Sequence, residues 1–229
     1  MLWIVSGPTS VGKSDFIRSE QFFALTGLRP KKKLVIKPMD VPASDPRLLA
    51  DADCIVHYNV LRPVSRFARS EATEATSQPE YQTRSIQFNA DPWWNEFTRL
   101  TRDKPKRAVV LVASATAIVE RVGWRRGYNI EYWRSLYEKL NLPDIYRAWC
   151  SELERQQIPF TFVDATGSTY PGLDATAAFE IVQRNVMNTT YSKEQIEKIL
   201  EKEHFAYHRI NLPHGLHTPG RDRSRSAMI

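Results

Sequence analysis

Apolar residues along this chain gather into short continuous runs separated by longer amphipathic stretches. The runs are Leu2 to Ser6, Leu34 to Ile36, Cys54 to Tyr58, Ala108 to Ala113 and Pro159 to Val163. Runs this short, without polar alternation, predict strands covered on both faces. Between them, residues 13–26 carry Phe16, Ile17, Phe23 and Ala24 at helical spacing and stop at Gly27 and Pro30. Helices are also predicted from Thr116 to Val122, over 131–140 and 144–157 with Pro143 between them, and over 173–187. Residues 38–47 hold three prolines and two aspartates and predict a loop. Residues 62–105 are more polar, with Trp93 and Trp94 after Asp91-Pro92, and predict helices and loops laid over the sheet. Strands alternating with helices imply an α/β fold of three layers, a five-stranded parallel sheet with helices on both faces.

The pattern changes after Asn188. Ser192 and Gln195 form a capping box that opens a helix with Ile196, Ile199 and Leu200 on one face, ending near Phe205. Residues 206–229 have no period and are rich in His, Pro, Gly and Arg. The expected organisation is one α/β domain over 1–190 and a C-terminal helix and tail or linker over 191–229.

Composition narrows the picture only a little. Two cysteines, Cys54 and Cys150, far apart in sequence, give neither a disulfide framework nor a zinc motif. A reducing cytoplasm is the expected compartment, and no apolar run is long enough to predict a membrane partner. The formal charge of +6 is clustered: Arg29, Lys31, Lys32, Lys33 and Lys37; Arg99, Arg102, Lys104, Lys106 and Arg107; Arg209, Arg221, Arg223 and Arg225. Such clusters favour anionic partners. The first two lack the interleaved aromatics of a nucleic-acid surface, so phosphorylated small molecules are favoured over nucleic acid.

The chemistry lies directly after the first run. Gly7-Pro8-Thr9-Ser10-Val11-Gly12-Lys13-Ser14 satisfies G-x-x-x-x-G-K-[ST] in full, between a predicted strand and a predicted helix. The glycines allow backbone conformations that a Cβ obstructs, so successive N–H groups turn inward as an anion nest. The following helix directs its positive end at the same point. In that pattern Lys13 reaches the β- and γ-phosphates, and the Ser14 hydroxyl is the expected Mg²⁺ ligand.

On these residues and the order of its elements, the chain resembles the P-loop kinase superfamily over residues 2–187. The resemblance implies ATP or GTP and Mg²⁺ as cofactors and a small hydroxyl-bearing phosphoryl acceptor. It also singles out Glu120-Arg-Val-Gly-Trp-Arg-Arg126, which follows the strand 108–113 and a short helix where such kinases carry an arginine-bearing lid. Arg121, Arg125 and Arg126 are therefore the expected lid arginines, placed to stabilise charge on a transferring phosphoryl group. Such kinases often end the strand beside the loop strand in a carboxylate, and here that place holds Asn59. His57, Tyr58 and Asn59 are candidate substrate contacts, and Asp40, after the second strand, is the candidate general base. The Pro-Thr of the loop is also similar to that of tRNA isopentenyltransferases, but their Asp-Ser acceptor segment has no counterpart around 34–50.

At the other end, Tyr207-His-Arg-Ile-Asn-Leu212 and Gly215-Leu-His-Thr-Pro-Gly220 resemble the lead-in of certain class I methyltransferases. This implies either a fused or partner methyltransferase domain or, if the likeness stops at these residues, a free tail. The functional expectation is an ATP-dependent phosphotransferase. The alternatives are a non-kinase P-loop NTPase or nucleotide-sensing module of a larger protein, and a nucleic-acid-modifying transferase.

Overall fold

A computed structural model describes residues 1–29, 34–38, 40–49, 53–63, 87–123, 134, 137 and 140–184. Its strands are β1 (Leu2–Gly7), β2 (Leu34–Ile36), β3 (Cys54–Asn59), β4 (Lys106–Val112), β5 (Phe160–Asp164) and β6 (Gly172–Leu173). Its helices are α1 (Lys13–Ile17), α2 (Glu20–Thr26), α3 (Pro46–Leu49), α4 (Pro92–Leu100), α5 (Ala115–Gly123), α6 (Leu142–Arg155) and α7 (Ala175–Gln183).

The strands form one sheet in the order β2-β3-β1-β4-β5-β6. The first five are mutually parallel, with Leu2 opposite both Cys54 on β3 and Lys106 on β4. The sheet is thus mixed and six-stranded, not five-stranded and wholly parallel as expected. β6 pairs antiparallel with β5 because the chain turns back over 165–171, where the Asp164 N–H donates to the Pro171 carbonyl at 2.9 Å.

Every residue of β1 is buried. Since successive side chains point to opposite faces, both faces of the sheet are covered. On one face, Tyr58 stacks against Trp149 of α6 with ring centroids 4.7 Å apart, and Trp94 of α4 lies 5.2 Å from Tyr58. Trp149 Nε1 also donates to Ser6 Oγ at 2.9 Å. On the other face, Ser14 of α1 meets His57 of β3. Burying aromatic side chains of this size, each stabilising by about 2–3 kcal/mol, is the main favourable term in such a core.

Buried charge fixes how α4 docks. The Asp91 carboxylate accepts the Trp93 N–H at the start of α4, the Tyr58 hydroxyl at 2.8 Å and Arg62 Nε at 2.9 Å. On α6, Glu152 accepts Trp94 Nε1 at 2.7 Å and pairs with Arg155.

Several element boundaries depart from the periodicity. The stretch 13–26 is two helices, because Ser19 Oγ donates to the Phe16 carbonyl and accepts the Phe22 N–H. A serine side chain that bonds its own backbone in this way ends one helix and caps the next. The 38–47 loop leads into α3, which starts at Pro46, as a first-turn proline permits. Pro143 likewise sits inside the first turn of α6, so that helix begins at Leu142 and not after the proline. α7 starts at Ala175, capped by Asp174, because Leu173 belongs to β6.

Cys54 and Cys150 are free and buried; burial pushes the Cys150 thiol up to about 12. Among the described residues no helix is long and apolar enough to cross a membrane. The expected helices from 185 onward, the methyltransferase-like segment and most of 131–140 lie outside the described residues, as do Lys31 to Lys33 and the third basic cluster.

Candidate functional site

β1 lies between β3 and β4, and its carboxyl end opens into the segment from Pro8 to Gly12 before α1 begins. In open α/β sheets ligands bind at this edge, where neighbouring connections leave a crevice. The segment is a tight turn of unusual backbone: Gly7 has φ +148°, Ser10 +65° and Gly12 +105°. A Cβ on Gly7 would stand 2.9 Å from both the Leu111 carbonyl oxygen and Val11 Cγ1. At that position only glycine fits without displacing the strand beside it.

Lys13, the first residue of α1, is 4% exposed. Its Nζ donates to the Gly7 carbonyl at 2.9 Å and the Pro8 carbonyl at 2.6 Å, so the ammonium lies against the turn that precedes it. Ser10 Oγ is buried and has no hydrogen-bond partner among the described residues. A buried ammonium, an unsatisfied hydroxyl and a turn that a Cβ would fill suit a compact polyanion such as a phosphate chain. Ser14 Oγ is 3.3 Å from His57 Nε2 on the neighbouring strand.

Three further side chains hold the turn. Asn59 Nδ2 donates to Thr9 Oγ1 at 2.9 Å, and Asn59 Oδ1 accepts the Leu61 N–H. Tyr137 donates to the Thr9 carbonyl at 2.9 Å. Arg121, on α5, donates through Nη1 to the Val11 carbonyl at 2.9 Å, and through Nη2 to the carbonyls of Ala165 and Thr166 just after β5. The Tyr170 ring at the far end of that segment meets Phe16 of α1, with centroids 5.1 Å apart.

The residues picked from sequence thus separate. Gly7 to Ser14, His57, Asn59 and Arg121 come together at one end of β1. Tyr58 does not, and its expected role as a substrate contact is corrected. It is fully buried on the opposite face of the sheet and donates to Asp91. Burial, with Asp91 beside it, pushes its phenol well above its ordinary range, so it remains a neutral donor. The alternation of a strand gives the reason: His57 and Asn59 share one face, and Tyr58 must take the other.

Asp40 is exposed in the turn after β2, at the same carboxyl edge as the loop but two strands away. Among the described residues its carboxylate bonds to nothing. Arg125 and Arg126 lie outside the described residues. Tyr137 and the carbonyls of Ala165 and Thr166 were not anticipated, since such backbone ties leave no mark in a sequence. No group of three or more His, Cys, Asp or Glu among the described residues is arranged to hold a metal ion. No family model matches the chain, and no curated protein matches it.

Proposed function

We propose that this chain is a P-loop phosphotransferase that uses ATP or GTP with Mg²⁺ to phosphorylate a small hydroxyl-bearing acceptor such as a nucleoside, nucleotide or sugar derivative. The observation that carries the proposal is the loop from Gly7 to Ser14 at the carboxyl end of the central strand, with the Lys13 ammonium buried inside it. The loop N–H groups and Lys13 would hold the phosphate chain, and Ser14 is the side chain suited to the metal. A bound Mg²⁺ supplies charge neutralisation along the phosphates. Lys13 would exchange its carbonyl partners for phosphate oxygens. Asp40 is the rim carboxylate suited to take the proton of an acceptor hydroxyl. Arg125 and Arg126 are proposed as the arginines that close over the site.

A specific observation favours a second reading, in which the chain hydrolyses or senses nucleotide without an acceptor. The residue ending β3 beside the loop is Asn59, and its amide is committed to Thr9 instead of to a metal. The two readings separate cleanly in one assay. The kinase reading expects ADP release that rises when a nucleoside, nucleotide or sugar acceptor is added. Release independent of every acceptor class supports the hydrolase reading. Lys13→Ala is expected to abolish nucleotide binding while the far-ultraviolet circular dichroism is retained, and full binding by that folded variant refutes both.

A further inference from the structure

Arg121 makes its bonds in an unusual way. All of its described hydrogen bonds go to backbone carbonyls, those of Val11, Ala165 and Thr166, and it forms no ion pair among the described residues. The three carbonyls belong to two segments far apart in sequence. Val11 lies in the turn after β1, and Ala165 and Thr166 follow β5. The guanidinium also lies close to the turn, since a Cβ on Gly12 would come 3.6 Å from Nη1.

The segment after β5 has its own shape, which gives the guanidinium a fixed anchor. Asp164 accepts the Thr166 N–H at 2.7 Å, and the Ala165 N–H donates to the Val112 carbonyl at 2.8 Å. One arm of the planar fork therefore grips a rigid strand end and the other grips the turn. A carbonyl satisfies an N–H but neutralises little of a full positive charge. The charge of Arg121 thus remains at the wall of the turn, next to the N–H groups that would face an anion.

We infer that Arg121 is a positioning residue that braces the phosphate loop against the strand end after β5, and that the loop's grip on a phosphate chain depends on this two-armed guanidinium. This rests on the proposed phosphate-binding function for its second half only. It also revises the expectation of a lid arginine, because a side chain holding three carbonyls is already committed.

The test uses the full chain with Arg121→Lys, which keeps the charge and loses the fork, and Arg121→Gln, which keeps a neutral donor. Amide hydrogen exchange is measured on the ligand-free proteins, and inorganic triphosphate is titrated into each. Both variants are expected to exchange at least about tenfold faster over 9–13 and 165–168, with the amides of β1 and β4 unchanged. Both are expected to bind triphosphate at least about tenfold more weakly, with Gln weaker than Lys. The proposal is overturned if Arg121→Lys matches wild type in exchange and affinity, or if protection falls equally throughout the sheet. If the wild-type chain takes up no triphosphate, the proposed function fails together with the second half of this inference, and the exchange experiment still decides the brace.

Discussion

At the scale of single residues, the two glycines of the loop are constrained for different reasons. Gly7 combines a left-handed φ with a Cβ position already taken by backbone and by Val11, whereas Gly12 has a left-handed φ but only an ordinary van der Waals contact for a Cβ, 3.6 Å from Arg121 Nη1. Gly12→Ala is therefore expected to cost roughly 1–2 kcal/mol of conformational strain. Gly7→Ala adds a backbone clash to that strain and is expected to cost about 3 kcal/mol or more. Urea denaturation of both variants measures the difference, and equal losses would refute the contact argument. The turn after β1 was legible in the sequence, because the positive φ of Gly7 and Gly12 is a local demand. Its partners were legible only in part. Asn59 and Arg121 were picked out, but as a substrate contact and a lid arginine and not as ties to the loop, and Tyr137, 128 positions from Thr9, was not picked out at all.

At the scale of elements, α4 is specified twice, by the helical spacing of its buried Trp93, Trp94, Phe97 and Thr98 and by its first residues. The stretch containing it reads as polar loop and helix, but Asp91-Pro92 is a strong start signal: an acceptor at the N-cap and a proline at the first helical position. The same carboxylate holds Tyr58 of β3 and Arg62, so a single residue starts the helix and docks it on the sheet. Asp91→Ala removes the acceptor of the buried Tyr58 hydroxyl, one acceptor of Arg62 and the N-cap of α4. It is expected to destabilise the fold by about 3–5 kcal/mol, with Asp91→Asn losing less, since the amide can still cap the helix. Thermal and chemical unfolding of the pair check the order, and an Ala variant as stable as wild type would show the network to be ornamental. Strand assignments held along the sheet because continuous apolar runs survive any boundary error. Helix ends were misplaced wherever a side chain bonds its own backbone, as Ser19 does between α1 and α2.

At the scale of the whole molecule, five parallel strands were readable from the apolar runs, but their order in the sheet, with the loop strand in the middle, and the sixth strand were not. Two residues, Gly172 and Leu173, are too few to carry a period, and they pair only because the chain doubles back after β5. The aromatic cluster between the sheet and α6 has a different consequence, an optical one. Trp149 stacks on Tyr58 with an interplanar angle of 13° and donates to Ser6, whose own hydroxyl donates to the Val109 carbonyl at 3.1 Å. Ser6 directly precedes Gly7, so the indole is hydrogen-bonded to the residue just before the loop. Indole emission responds to the strength of that bond and to the polarity around it. Intrinsic fluorescence is therefore expected to shift as triphosphate is titrated, and Trp149→Phe to remove most of the shift. A full response from that variant would assign the signal to another tryptophan. With Trp149 as the source, the protein reports its own ligation by colour, and binding can be followed on the unlabelled chain in stopped flow.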